Sequence, residues 1–244
     1  MLTGTNQLNS MKPRNSYLWS CVFLSFFFCC RNAFSAPTAE QPLETSATTK
    51  EVQVFGVIYP KRFNTAAGEE AHYHLLVWQG GTSPHALIET PADDLAFYEA
   101  LRSLGAQPGD NLTMASWNKR HDPNHAAPRE KVVGDILDVR LSWSGNPLGI
   151  PIHQIFHQQE ARNEKPETNL LLRFGGNRDR WFNTLPLAPR PGCLVCLYSC
   201  PSGKVSNGAL SVHNYMEAPS RFMVNIAILP PDGTSVVVTF RMLQ

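Results

Sequence analysis

From Leu137 to Trp143 apolar and polar residues alternate without a break. Leu137, Val139, Leu141 and Trp143 fall on one side, and Asp138, Arg140 and Ser142 on the other. Only a strand with one buried face and one wet face reads this way, because side chains in a strand alternate between faces. The chain must therefore build an antiparallel or mixed sheet over a core. Nineteen prolines and sixteen glycines punctuate the 244 residues, which favours many short strands over a helical bundle. With 43% hydrophobic residues the chain is long and apolar enough to bury a real core. A formal charge of +1 offers no electrostatic footprint for nucleic acid or an anionic membrane surface.

Residues 1–35 have the form of a signal peptide, with Lys12 and Arg14 ahead of an apolar run from Tyr17 to Cys30. Ala33-Phe34-Ser35 supplies small residues at the −3 and −1 positions, so the mature chain is expected to begin at Ala36. The alternative is an uncleaved N-terminal anchor, although a run of about fourteen residues is short against the ~20 of a spanning helix. Cleavage would leave no membrane span in the mature chain and an exported protein, periplasmic or extracellular. Residues 36–50, rich in Thr, Ser, Ala, Glu and Pro, read as a flexible linker, and 51–244 as a single domain without internal repeats.

Along that domain Val52 to Tyr59 predicts a strand ended by Pro60, and 60–70 a polar loop. His72 to Trp78 predicts a second strand, joined through Gln79-Gly80-Gly81-Thr82 to a third at His85 to Glu89 in a hairpin. One clear helix is expected over about 91–104: Thr90 as N-cap, Pro91 at N1, Asp93 and Asp94 toward the positive end of the dipole, and Gly105 as the stop. Further strands are expected around Leu112 to Trp117, at Leu170 to Phe174, and as a closing hairpin, Phe222 to Leu229 and Val236 to Leu243 about Pro230-Pro231-Asp232-Gly233. About nine strands against one or two helices make a β-rich α+β domain.

The order of these elements resembles the YdjY-like domain family. The likeness runs through His72-Tyr73-His74, Leu104-Gly105-Ala106-Gln107-Pro108-Gly109, Leu141-Ser142-Trp143, Leu172-Arg173-Phe174-Gly175-Gly176-Asn177 and Leu229-Pro230-Pro231-Asp232-Gly233-Thr234, within residues 52–243. The resemblance implies an exported bacterial domain of unassigned biochemistry, sometimes fused to or alongside iron–sulfur and redox proteins. An exported or membrane redox protein is then the expected partner. The family supplies no catalytic residues to carry over.

Two groups of residues have the chemistry of a site. Cys193, Cys196 and Cys200, followed by Pro201, are all the cysteines left once residues 1–35 are removed. Three thiolates fall one short of an iron–sulfur cluster, but with a histidine they suit Zn or Cu. One disulfide with a leftover thiol, or three small buried hydrophobes, are the alternatives. In a straight strand Cys193 and Cys196 face opposite ways and Cys196 and Cys200 lie ~13 Å apart, so a site requires the backbone to break. The second group belongs to the expected hairpin, whose register would set His72, His74, His85 and Glu89 on one face, a metal set or merely a wet sheet face. His121 to His125 is a polar loop, and His153 and His157 share a face only in a helix.

No nucleophile elbow, P-loop, dinucleotide fingerprint, zinc-protease or haem motif occurs. Three functions remain: an accessory domain holding a metal or acting in a redox context, a protein-interaction module that uses a sheet face or the Arg178–Trp181 loop, and a mononuclear metal enzyme on the His72/His74 face.

Overall fold

A computed structural model describes residues 36–68, 71–83, 85–158, 170–175, 190–217 and 222–243. The expected signal peptide and the Arg178–Trp181 loop lie outside the described residues. The fold is a β-rich α+β domain. Its elements are β1 (Leu43–Ser46), β2 (Glu51–Ile58), α1 (Pro60–Thr65), β3 (His74–Trp78), β4 (Ile88–Thr90), α2 (Asp94–Ser103), α3 (Met114–Asn118), β5 (Leu137–Trp143), β6 (Asn146–Pro151), β7 (Phe156–Gln158), β8 (Leu172–Phe174), β9 (Cys193–Cys196), β10 (Val205–Asn207), α4 (Val212–Glu217), β11 (Phe222–Val224) and β12 (Thr234–Met242).

One mixed sheet runs β6-β5-β12-β2-β4-β3-β9-β10-β8, with β1 beside the first half of β2. It curls until β8 returns to the residues just before β5: Ile136 bridges Arg173, and Phe174 N donates to Asp135 O at 2.8 Å. The alternating run Leu137–Trp143 is β5 itself, and its apolar residues continue as rungs across the sheet. Leu141 faces Val238, which faces Val54; Val139 faces Phe240, which faces Val52. All six are buried, each contributing roughly 1.5–3 kcal/mol of apolar burial. Helix α2 packs on this layer, Phe97 against Phe240 with ring centroids 4.8 Å apart and Tyr98 against Phe174 at 5.3 Å.

Several local expectations change once the sheet forms. Leu43–Ser46, placed in a linker, is instead β1, antiparallel to β2. The expected polar loop after Pro60 holds helix α1, whose first amides at Lys61 and Arg62 are satisfied by the Asp232 carboxylate at 2.7 and 3.0 Å. The stretch Leu112 to Trp117, expected as a strand, winds into α3 because the Thr113 hydroxyl caps it, accepting from Ser116 N at 3.1 Å. The closing hairpin does not form: β11 pairs with β7, while β12 is inserted between β2 and β5. The hairpin expected at residues 72–89 does not form either, since β3 and β4 run parallel with Leu76 opposite Ile88.

Helix α2 falls within the expected span but starts three residues later, leaving Pro91 outside it; its N-cap is Asp93, which accepts from Leu95 N at 2.9 Å and Ala96 N at 3.1 Å, and Thr90 belongs to β4. Arg190 also pairs with the Asp93 carboxylate. Burial pushes that carboxyl up, but the Arg190 hydrogen bond, the two amides and the arginine's charge outweigh it and hold Asp93 below its ordinary value. A depressed carboxyl contributes stability above its unfolded value, and that contribution is lost as pH falls through the folded one. Asparagine caps a helix as well as aspartate does. Asp93→Asn is therefore expected to be less stable than wild type at neutral pH, with the gap closing on acidification below the carboxylate range. Thermal melts across that range check it, and a gap that persists in acid would assign the effect to packing.

Candidate metal centre

Strands β3 and β9 meet antiparallel in an irregular register: His74 opposite Cys196, Leu76 opposite Val195, and Val77 opposite Cys193. Leu75 is the extra residue on β3 and Leu194 the extra residue on β9. A bulge of this kind puts two residues opposite one and resets the alternation of faces. Cys193 and Cys196, three apart and on opposite faces of a straight strand, are thereby turned to the same side, toward His74. One ligand atom from each of His74, Cys193 and Cys196 lies within 4.8 Å of the others. All three residues are at most 2% exposed. Among the described residues this is the group of histidine, cysteine or acidic side chains able to close on one metal ion.

No disulfide joins the thiols: Cys193, Cys196 and Cys200 are all free and buried. Cys193 Sγ lies 2.8 Å from Ser83 Oγ. A hydrogen bond from Cys196, the neighbouring His74 and Ser83 together hold the Cys193 thiol well below its usual value, against burial. Cys196 is pushed well up, first by burial and then by its hydrogen bonds to Cys193 and Cys200. The pair is thus arranged to carry a thiolate at Cys193 with Cys196 as the donor to it. Such a pair can exchange its protons for a metal ion.

Cys200 arrives by a different route. Strands β9 and β10 are parallel neighbours, Val205 opposite Val195. Residues 197–204 make the connection, far shorter than the usual parallel crossover, and within them the chain breaks away after Cys196. Buried polar groups hold this loop in place. Asn207 Nδ2 donates to Leu197 O at 3.1 Å and its Oδ1 accepts from Leu171 N at 2.9 Å. Ser199 Oγ donates to Asn207 O at 3.0 Å and accepts from Val132 N at 2.9 Å. The turn carries the Cys200 side chain back against Cys196 and the Tyr73 hydroxyl, both within hydrogen-bonding reach. Cys200 nevertheless stands outside the three-donor group.

Aromatic rings cover the loop side. Tyr73 stacks on Tyr198 at 5.2 Å and meets Tyr215 at 4.8 Å and Trp117 at 5.5 Å edge-on. Burial, followed by the charges of Cys200, Cys196 and Cys193, holds the Tyr73 phenol well above its ordinary value, so it stays neutral. Lys204 and Asp94 form a fully buried ion pair at 3.2 Å, and Arg190 reaches Asp94 at 2.9 Å.

The other expected set does not assemble. Because β4 runs parallel to β3, His85 lies exposed outside both strands, and Glu89 pairs with Arg62 at 2.5 Å. His72 precedes β3 with φ +60°, which takes it out of the two-residue alternation, and it packs edge-on against Phe63 at 5.1 Å. Only His74 of the four reaches the cysteines. In the 121–125 loop, His125 pairs with Asp122 at 2.6 Å at the surface. His153 sits in a single 3₁₀ turn and His157 in β7, so they share no helix face. Sequence reasoning set the right two strands side by side but ran them antiparallel, and it missed that β9 flanks the other edge of β3. Ser83, Ser199, Asn207, Lys204 and Asp94 support the cysteine strand and were not singled out as a group; no local motif joins residues so far apart in the chain.

Comparison with known proteins agrees with the architecture. The model of the YdjY domain matches residues 43–241. The chain is 32% identical over 176 residues to the uncharacterised protein YdjY of Escherichia coli (strain K12), covering 70% of this chain and 68% of that one. No solved structure matches it. Among the described residues no helix is long and apolar enough to cross a membrane.

Proposed function

The chain belongs to the YdjY domain family, and we propose that it works as an exported accessory domain that binds a thiol-seeking metal, zinc or copper, at His74, Cys193 and Cys196. The observation that carries this reading is the bulge that turns two cysteines of one strand toward the same histidine, with all donor atoms within 4.8 Å. Thiolate and imidazole are the donors such ions take. An iron–sulfur cluster fits less well, since it wants four ligands.

We read the role as binding rather than catalysis because all three donors are buried. The N-terminal pattern of residues 1–35 supports export, and the natural partner is an exported or membrane redox protein that needs the ion or is protected by its capture. Membrane fractionation and N-terminal analysis of the expressed protein test the location.

Elemental analysis tests the centre. The full chain, purified without chelator or reconstituted anaerobically, is expected to hold close to one metal ion, and Cys196→Ser to lose it. No metal in either protein, together with thiols that label only after unfolding, would leave the cysteines as core residues of an interaction module.

A further inference from the structure

Resting on that reading, we infer that the ion is monovalent copper held by His74, Cys193 and Cys196 alone, with Cys200 beside the centre rather than a ligand. Donor number decides first. Structural zinc is almost always four-coordinate, whereas the described residues bring three donors within 4.8 Å and Cys200 is outside that group. Water is a poor fourth ligand here, because His74 is 2%, Cys193 2%, Cys196 0% and Cys200 4% exposed. A monovalent d¹⁰ ion accepts three ligands, and two sulfurs with one imidazole are soft donors of the kind that select it.

Two thiolates and one copper(I) leave a net charge of −1 on the two sulfurs, and Ser83 Oγ, 2.8 Å from Cys193 Sγ, can donate to one of them. Removing such an outer contact commonly costs about 10–100-fold in metal affinity. The Cys200 loop is pinned by Ser199 and Asn207, so its thiol is held beside Cys196 without joining the three donors.

The test uses the full chain without oxygen, with copper(I) supplied as its acetonitrile complex and bathocuproine disulfonate as the competing chelator. One copper(I) per chain is expected, with X-ray absorption reporting three-coordinate S₂N. Cys200→Ser leaves the three donors untouched, so it is expected to keep both the stoichiometry and the coordination, with affinity changed no more than about tenfold. Cys193→Ser and Cys196→Ser are expected to lose the ion, circular dichroism confirming that each is folded. Preference for zinc(II), with S₃N coordination that vanishes in Cys200→Ser, would overturn the inference and leave the metal-binding reading intact. Failure to bind either ion would instead sink the metal-binding reading itself.

Discussion

Replacing Asp94 by asparagine is expected to cost about 3–5 kcal/mol of folding stability, because it breaks a buried ion pair and takes the opposite charge of Asp94 away from Lys204. Lys204 is 1% exposed and its ammonium lies 3.2 Å from the Asp94 carboxylate, itself 2% exposed. Arg190 would keep its contact with Asp93 but lose its 2.9 Å contact with Asp94. The double replacement Asp94→Leu with Lys204→Met is expected to recover most of the loss, since a buried pair contributes little over apolar residues of similar volume. Urea unfolding of the metal-free protein measures both. A single-variant cost below ~1 kcal/mol, the range of exposed pairs, would mean that water reaches Lys204.

Gly134→Ala is expected to destabilise the protein by roughly 2–6 kcal/mol, the sum of backbone strain and overpacking. Gly134 has φ +113°, and a Cβ there would lie 2.1 Å from Phe174 O and 2.6 Å from Gly109 N. This is the seam where the curled sheet returns on itself, with Phe174 N bonded to Asp135 O at 2.8 Å and Gly109 N to Phe174 O at 3.0 Å. Neither contact can yield without opening β8, and β8 supports β10 and through it the cysteine strand. Gly105→Ala serves as the control. Its φ is +96° with no atom within 4 Å of the added carbon, so it reports backbone strain alone. Equal losses in the two variants would show that the seam is open in solution.

The seam also bears on metal retention. The positions of Cys193 and Cys196 depend on β9 being gripped from both sides, by β3 through the bulged register and by β10 in parallel. If β9 slipped to a regular register, one of the two thiols would turn to the other face. The bulge is therefore the element to which the centre is most sensitive, more than any single hydrogen bond around it.

How far the residues foretold this arrangement differs from element to element. Strand β5 is legible to its last residue, because burial of one face leaves a period-two record in the chain itself. Helix α2 is legible in its existence and its end but not in its start or cap, since Thr90 and Asp93 are both good caps and the pairing of β4 claims Thr90. At Pro230-Pro231-Asp232-Gly233 the turn is real, yet β12 enters between β2 and β5 instead of folding back on β11. Turn chemistry fixes that the chain reverses; it carries no information on which distant strand lies alongside. For the His72, His74, His85 and Glu89 face the expected neighbour is right, but β3 and β4 run parallel instead of antiparallel, so the residues do not line up.

By itself, the sequence determined the family, the β-rich class, the main helix and the residue types available for a soft-metal centre, because composition, periodicity and short motifs are local properties. Only the tertiary structure decided which residues form that centre. Straight-strand geometry sets Cys193 and Cys196 apart, and the extra residue Leu194 in the register with β3 brings them together toward His74. The register of one strand against another is settled by the packing of both, and no stretch of either strand records it alone.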